Sequence, residues 1–262
     1  MSMDILDRLA WRIEAARGAR QPVPVLLDSL RLLRRSYLAT SKEGGRLRLL
    51  GGHGEWYTFY ENLVRQDYFQ GIQPLKEGDV VIDVGANIGA FSIVAARLVG
   101  PAGRVLAYEP DPRTCDRLRE NIALNGLHNI AVHNAAVGAQ EGSARFFRHD
   151  KGALSSLFNG VDGRRDQHAS AFDVKVVGFP EVIRRAGGDV ALLKVDCEGA
   201  EYDMFGSLDE AAAAPLRSIS MEVHQIPGAS PESLKARLEW LGFQVKDGYP
   251  LTAVRGRQPG IA

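Results

Sequence analysis

Apolar positions open the chain at helical spacing: Ile5, Leu6, Leu9, Ile13 and Ala16. The stretch from Gly18 to Pro24 interrupts that rhythm and residues 25–37 resume it, so residues 1–40 read as a helical hairpin. Residues 42–54 are glycine-rich and read as a linker holding one short strand at 47–50. Residues 56–69 are aromatic and helical in period, with Glu61 and Asp67 among them. From Val80 a different rhythm sets in. Short apolar runs at 80–84, 104–108, 130–133, 190–195 and 218–224 alternate with helical segments at 87–99, 112–125, 200–214 and 230–242. Two further strands, 243–245 and 251–254, close the chain. Strand and helix in alternation predict an α/β fold with a mostly parallel sheet covered on both faces. The alternation lapses over 139–180, where strands at 143–147 and 172–177 flank a Gly/Ser/Asp-rich excursion, read as an insertion at the rim of the sheet. The expected division is an N-terminal helical extension and linker, 1–54, and a main domain, 55–262, carrying that insertion.

Composition narrows the function classes. Lys plus Arg and Asp plus Glu each number 32 among 262 residues, so nothing in the net charge draws the chain to nucleic acid or an anionic membrane. Cys115 and Cys197 are too few and too distant for a disulfide framework or a Cys-x-x-Cys zinc site. No apolar run approaches the ~20 residues that span a bilayer. Asp4, Asp7 and Arg8 interrupt the place where a secretory signal needs apolar residues, so a cytoplasmic location is expected. The first 40 residues hold seven Arg against four acids. They read as solvated charge on a hairpin packed against the main domain or a second copy in a homodimer, or as a docking surface for an anionic partner.

Ligands of open parallel sheets sit at the carboxyl ends of the strands, near the point where the strand order reverses. The first strand of the regular region ends in Asp83-Val84-Gly85-Ala86-Asn87-Ile88-Gly89. Its glycines permit a tight turn and close approach of backbone to ligand. The second strand ends at Glu109-Pro110, with Glu109 20 positions past Gly89. An acid there takes both hydroxyls of a ribose. A dinucleotide asks for G-x-G-x-x-G, but Gly85 and Gly89 enclose three residues, and the carboxylate of Asp83 repels a pyrophosphate. S-adenosylmethionine carries a sulfonium and an α-ammonium and no phosphate, so the same carboxylate attracts it. The combination D-x-G-x-N-x-G plus Glu109 therefore favours the sulfonium cofactor. The plainer alternative is that the glycines only make a turn and Glu109 only caps the next helix.

The runs VVIDVGANIGAFSIVAA, AYEPDP, NAAVG, SSL and LLKVDCEGAEYDMF together resemble the FkbM family of S-adenosylmethionine-dependent O-methyltransferases. The resemblance covers residues 56–225 well and the C-terminal helix and strands loosely; residues 1–50 lie outside it. Its most specific part is Lys194-Val195-Asp196-Cys197-Glu198-Gly199-Ala200-Glu201. One departure is Gly178-Phe179-Pro180-Glu181, where many relatives carry an Asp. The resemblance implies a seven-stranded Rossmann-like methyltransferase sheet and methylation of a hydroxyl, often on a sugar or a polyketide-like product.

A period of two along 192–197 puts Leu192, Lys194 and Asp196 on one face, and Ser220, Glu222 and His224 share a face of the next strand. If the strand order resembles the family's, Asp83, Asp196, Glu222 and His224 converge. Lys194 inside an apolar run needs a partner among Asp83, Asp196 and Glu222. On the functional reading Asp83 and the turn Gly85, Ala86, Asn87 and Gly89 hold the methionine end of the cofactor, with Asp196 near it. Glu109 and Pro110 border the ribose, Asn134 and Ala135 flank the adenine, and Glu61 reaches the cofactor's ammonium. His224 is the first choice of general base, its unperturbed pKa being ~6.5. Lys194 is the second, should burial depress its pKa. A histidine that merely hydrogen-bonds at a strand end and a purely structural lysine pair are the alternatives. Ser155 and Ser156 of the insertion, with Glu198 and Glu222, are candidate acceptor-binding residues.

Asp196, Glu198, Glu201, Glu222 and His224 offer oxygen and nitrogen donors, but spread over two strands and a helix start they need not share one centre, so no metal is expected. Cys197 reads as a small buried residue. The sequence thus reads as a methyltransferase moving a methyl from S-adenosylmethionine to a hydroxyl of a sugar, glycan precursor or secondary metabolite. The competing readings are a nicotinamide-dependent oxidoreductase and a non-catalytic cofactor-binding scaffold subunit.

Overall fold

The computed structural model describes residues 5–148 and 170–256. Two helices come first, α1 (Ile5–Gly18) and α2 (Pro22–Ser29), then a hairpin of β1 (Ser36–Thr40) and β2 (Arg46–Leu50). Here the helical expectation for 25–37 holds through Ser29 and fails beyond it. Arg31 takes a positive φ of 61°, and residues 36–40 enter an antiparallel ladder in which Tyr37 lies opposite Leu49. The buried Tyr37 hydroxyl donates to Asp28 at 2.8 Å, tying the new strand to the end of α2. Strand pairing won over helical period because Leu47 and Leu49, both fully buried, offer an apolar strand to pair with.

The aromatic segment is helical, as α3 (Glu55–Phe59) running into a π-helical turn at Tyr60–Arg65 and a 3-10 turn at Asp67–Phe69. Then follow β3 (Val80–Val84), α4 (Ala90–Leu98), β4 (Arg104–Tyr108), α5 (Pro112–Leu124) and β5 (Ile130–His133). The rim segment supplies β6 (Ala136–Gly138), β7 (Gly142–Arg148) and β8 (Ser170–Gly178), leading into α6 (Phe179–Ala186). The chain continues through β9 (Leu192–Val195), α7 (Glu201–Gly206), α8 (Glu210–Ala213), β10 (Ser218–Met221), α9 (Pro231–Trp240), β11 (Phe243–Lys246) and β12 (Leu251–Arg255). The helix expected over 200–214 is two, because Asp209 accepts a hydrogen bond from the Ala212 amide at 2.7 Å and so starts a new helix. Sequence reading missed β6 and α6.

Seven strands form the main sheet in the order β11-β12-β10-β9-β3-β4-β5, with β12 antiparallel to both of its neighbours. The fold is therefore the mixed α/β, mostly parallel Rossmann-like sheet that the sequence predicts. Val81, Ile82 and Asp83 of β3 have essentially no exposure, which fits the central strand of a sheet covered on both faces. From β3 the chain winds outward through β4 and β5 and then returns to β9 on the other side. The crevice at the carboxyl ends of β3 and β9 is the switch point where such folds bind ligands. A separate three-stranded sheet, β6-β8-β7, stands beside it.

The N-terminal section packs on the main sheet's helices. Ala15, Val25, Leu47 and Leu49 share a buried cluster with Phe59, Tyr60, Leu63 and Ile93. Burying each large aliphatic side chain there contributes roughly 1.5–3 kcal/mol. Asn121 of α5 and Asn125, which caps its end, accept from the amides of Arg48 and Arg46 at 2.8 and 3.0 Å, which fixes the hairpin against the helix that follows β4. Among the described residues no helix is long and apolar enough to cross a membrane.

Candidate functional site

The turn after β3 is held from below. The amides of Gly85 and Ala86 both donate to the carbonyl oxygen of Tyr108, at 3.1 and 2.9 Å. Gly85 has φ 76°, and a Cβ at that position would stand 1.8 Å from the carbonyl oxygen of Asp196. Only glycine lets the ends of β3 and β9 come this close. Gly89 (φ 90°) lies beneath the turn, where a Cβ would meet a methyl of Leu118 at 2.3 Å. The buried carboxylate of Glu109 accepts from the Asn87 amide through one oxygen and from the Asp111 amide through the other, both at 2.9 Å. Burial raises its pKa to about 7, against the pull of those two amides.

Above the turn lies a cavity of about 680 Å³, lined by Gly85, Asn87, Glu109, Pro110, Ala135 and Asp196 among others. Tyr108, Val137 and Phe146 give the wall apolar faces, and Asp111, Thr114 and Glu198 give it polar ones. Among the described residues that line it there is no lysine or arginine. Among the described residues, carboxylates at Glu109, Asp111, Asp196 and Glu198 between apolar faces suit the adenosine half of S-adenosylmethionine and would repel a pyrophosphate. Asn134 stands outside the cavity wall and spends its side-chain amide on the carbonyl oxygens of Glu109 and Pro110, both at 2.9 Å. It shapes the floor where adenine contact was expected.

A second cavity of about 850 Å³ opens beside the first and shares Gly85, Asn87, Asp196 and Glu198 with it. Its other walls include Tyr57, Glu61, Ala86, Lys194, Glu222, His224 and Tyr249. Lys194 is 3% exposed. Its ammonium donates to the carbonyl oxygen of Gly85 at 2.7 Å and pairs with Asp83 at 3.3 Å and Asp196 at 3.7 Å. Burial disfavours its charge, but Asp83 and Asp196 outweigh burial and raise its pKa. The condition for Lys194 as a base, a depressed pKa, is not met. Asp83 needs correcting too. It is fully buried, lines neither cavity, and accepts from the Ser92 hydroxyl at 2.6 Å, so it acts on a ligand only through Lys194.

His224 is 7% exposed and lies beyond the end of β10. Its Nδ1 is 3.2 Å from Glu201 Oε1, which also accepts the His224 amide at 2.7 Å. The other Glu201 oxygen accepts the Gly199 amide at 2.9 Å. Burial opposes the Glu201 charge, but the hydrogen bonds and charge of His224 prevail and lower its pKa. The His224 Nε2 faces Glu198 at 3.4 Å, Glu222 at 3.8 Å and Asp196 at 3.9 Å. Burial disfavours the imidazolium, yet Glu201, Glu198 and Asp196 raise its pKa to about 9. At neutral pH it holds its proton, which runs against its assignment as the general base. Glu198, whose backbone takes a φ of 55°, is raised to about 8, chiefly by burial.

Of the sequence-derived site residues, Gly85, Asn87, Glu109, Pro110, Ala135 and Asp196 meet at the first cavity, and Glu61, Ala86, Lys194, Glu198, Glu222 and His224 at the second. Ser155 and Ser156 lie outside the described residues. Sequence reasoning missed Tyr57, Tyr68 and Tyr249. The Tyr249 hydroxyl is 2.9 Å from Glu61 and 3.1 Å from Glu222, though all three are far apart in sequence. Tyr57 was within reach of inspection, since it precedes Glu61 by one helical turn. Asp111 was also missed. It caps α5 and forms a two-point pair with Arg148 of β7, fastening the rim sheet to the floor of the first cavity.

The model of the Methyltransferase FkbM domain matches residues 83–249, more than half the chain. The chain is 30% identical over 199 residues to 31-O-demethyl-FK506 methyltransferase FkbM of Streptomyces tacrolimicus, covering 65% of this chain and 75% of that one. It is 27% identical over 206 residues to Methyltransferase sdnD of Sordaria araneosa, covering 68% of this chain and 79% of that one. It is also 29% identical over 253 residues to the AMB antimetabolite synthetase AmbE of Pseudomonas aeruginosa, spanning 79% of this chain but 12% of that protein. Among solved structures, Aeropyrum pernix fibrillarin with bound S-adenosyl-L-methionine is similar at 16% identity and a TM-score of 0.43, over 84% of this chain and 94% of that one. The domain match, on a sheet whose switch point carries this turn and Glu109, answers the nicotinamide alternative: the chain belongs to the FkbM methyltransferase family, and S-adenosyl-L-methionine is its cofactor.

Proposed function

We propose that the protein methylates a hydroxyl group of a small polyhydroxylated acceptor, a sugar or a secondary metabolite, held in the second cavity. The observation that carries this reading is the meeting of the two cavities at Gly85, Asn87, Asp196 and Glu198. A cofactor seated in the first presents its reactive end to the second. The relative named for an O-demethyl substrate supports oxygen as the atom methylated.

When bound, S-adenosylmethionine supplies a methyl group made electrophilic by the sulfonium. The residues of the chain do the rest by position. Glu109 takes the ribose hydroxyls, and Ala135, Val137 and Phe146 pack against the adenine. Glu61, in the second cavity, is placed to receive the ammonium. Asp196 stands where both ligands meet, and Lys194 beneath it fixes its carboxylate. Tyr57, Glu61, Glu222 and Tyr249 give the acceptor's hydroxyl groups carboxylate and phenol partners. The hydroxyl proton passes to Glu222 at the mouth of the cavity. Alignment of oxygen, carbon and sulfur supplies up to about 7–11 kcal/mol of barrier reduction, while proton removal adds about 10²–10⁴-fold. Loss of one proton-handling group therefore slows the reaction without ending it.

The test uses methyl-labelled S-adenosylmethionine and a panel of polyols, sugars and hydroxylated metabolites, with release of S-adenosylhomocysteine and mass gain of the acceptor as readouts. Label on oxygen supports the proposal. Label on nitrogen or carbon in the preferred acceptor would refute it.

A further inference from the structure

We propose that His224, Asp196 and Glu198 form a binding site for a divalent first-row cation at the mouth of the cofactor cavity. The inference rests on the reading of the second cavity as the acceptor site. In the sequence these donors, spread over two strands and a helix start, need not meet. The structure brings them together. One donor atom from each of these three residues lies within 4.8 Å of the other two. Two donors on a tetrahedral ion with bonds of about 2.1 Å stand roughly 3.4 Å apart. The separation of His224 Nε2 from Glu198 is 3.4 Å, and from Asp196 3.9 Å, so small side-chain movements suffice.

The histidine makes this more than a group of acids. It is 7% exposed, and its Nδ1 is held by Glu201, which is itself fully buried and anchored by two backbone amides. Metal-bound histidines are held in this way: the distal nitrogen donates to a carboxylate, which fixes the tautomer and turns the lone pair of the other nitrogen toward the ion. Here that nitrogen points at three carboxylates, Glu198, Glu222 and Asp196. Without an ion the imidazolium proton takes that direction; a divalent cation displaces it and balances the same carboxylates. Lys194 lies 3.7 Å from Asp196 but is held more closely by the Gly85 carbonyl at 2.7 Å and Asp83 at 3.3 Å, so it leaves Glu198 to another cation.

Two carboxylates and one imidazole suit manganese and its neighbours better than calcium, which takes oxygen ligands. The side chains of Asp196 and Glu222 are each 30% exposed, which leaves the ion open on the acceptor side. An acceptor hydroxyl bound there becomes more acidic. Its proton goes to Glu222, its oxygen lone pair forms the new O–C bond, and the C–S bond breaks with its electron pair passing to sulfur. The sulfonium thereby becomes a neutral thioether, and no further reactant is needed.

The probe is Mn²⁺, followed by loss of its free electron paramagnetic resonance signal as the full chain is added. One site per chain is expected, with affinity falling at least tenfold in His224→Ala and in Glu201→Gln, the latter touching no ion. Glu198→Gln, on the cavity wall, serves if His224→Ala does not fold; circular dichroism and S-adenosylhomocysteine affinity check each variant. Absence of Mn²⁺ binding at millimolar concentration, or equal binding by wild type and folded variants, overturns the metal site. Methyl transfer to oxygen that persists at full rate after chelation overturns its catalytic use while leaving the methyltransferase reading intact. Binding of Mn²⁺ lost in the variants supports the site even if the acceptor chemistry proves different.

Discussion

Replacing Gly85 by alanine separates two costs that this fold combines at one residue. The first is conformational: at φ 76° a Cβ is crowded by its own backbone, which costs about 1–2 kcal/mol. Gly126, at φ 63° with nothing within 4 Å of its would-be Cβ, carries that cost alone. Gly126→Ala should therefore lower the melting temperature by about 2–8 °C, at about 2–4 °C per kcal/mol for a chain of this size. The second cost is steric and belongs to Gly85. Its Cβ would lie 1.8 Å from the Asp196 carbonyl oxygen, a backbone atom that no rotamer change moves. The ends of β3 and β9 must part by more than 1 Å to bring that contact even to 3.0 Å, and a gap of about 0.5–1 Å already forfeits a quarter to a half of each contact across it. The Lys194 bond to the Gly85 carbonyl, 2.7 Å long, lies in that gap. Gly85→Ala should cost about 4 kcal/mol or more, in the exceptional range for one substitution. It should also weaken S-adenosylhomocysteine binding at least tenfold, whereas Gly126→Ala leaves it within about twofold; a factor of ten is 1.4 kcal/mol. Differential scanning calorimetry and titration calorimetry on the two variants decide the matter. Equal losses of stability, with cofactor affinity kept in both, would refute the claim that glycine is needed at 85 for close approach.

Glu109→Gln should weaken S-adenosylhomocysteine binding at pH 8 and abolish a pH dependence that wild type shows near pH 7, where burial places this carboxyl. Ribose hydroxyls favour the charged carboxylate, so wild-type affinity should fall toward tenfold per unit as pH drops below 7. Stability of the free protein runs the other way: the raised pKa adds stability below about 4.5, and this is lost as pH rises through 7, so Glu109→Gln should gain on wild type at pH 8. Lys194→Met leaves the fully buried Asp83 without its cation and should cost about 3–5 kcal/mol at pH 8 in urea unfolding. The loss should be smaller at pH 5, since burial already raises the Asp83 pKa toward protonation; equal losses would show that Asp83 is not the stranded charge. Tyr249→Phe removes the hydroxyl beside Glu61 and Glu222, so acceptor KM should rise about fivefold, the worth of one hydrogen bond of about 1 kcal/mol, with a smaller change in cofactor affinity through Glu61. A changed cofactor affinity with an unchanged KM would place Tyr249 in the wrong cavity.

What the sequence discloses follows the range of the forces involved. The runs at 80–84 and 104–108 coincide with β3 and β4 because a strand covered on both faces must be mostly apolar; the run at 130–133 coincides with β5, an edge strand that is only partly covered. Glu109 was legible because its place after β4 is fixed by local geometry, and Lys194 because a lone ammonium in an apolar run needs a partner. Tyr249 was not, since it reaches Glu61 only through the fold, across the sheet's edge. Tyr37 was misread as helical because its strand exists only by pairing with residues 46–50. Asp83 was misplaced for a subtler reason. Its position in sequence puts it beside the cofactor turn, but the inward side of β3 points it at Ser92 and Lys194, away from both cavities.

That misplacement changes the electrostatic argument for the cofactor. With Asp83 and Lys194 paired in the interior, the turn itself is close to neutral, and the negative field comes from the carboxylates around the second cavity, Asp196 and Glu222 foremost. Glu109 then serves the ribose rather than the sulfonium. Because the whole chain is neutral, with 32 charges of each sign, this field is local and not a global steering effect. Partly buried carboxylates are screened little by salt, while anything beyond about 8–10 Å in solution is screened away. Cofactor affinity should thus change weakly between 0.05 and 0.5 M salt by calorimetry, within roughly threefold, as expected for an attraction that acts only once the ligand is seated. A decline of about tenfold or more over that range would mean that long-range attraction from the rim governs binding, and the assignment of the field to the cavity wall would have to be given up.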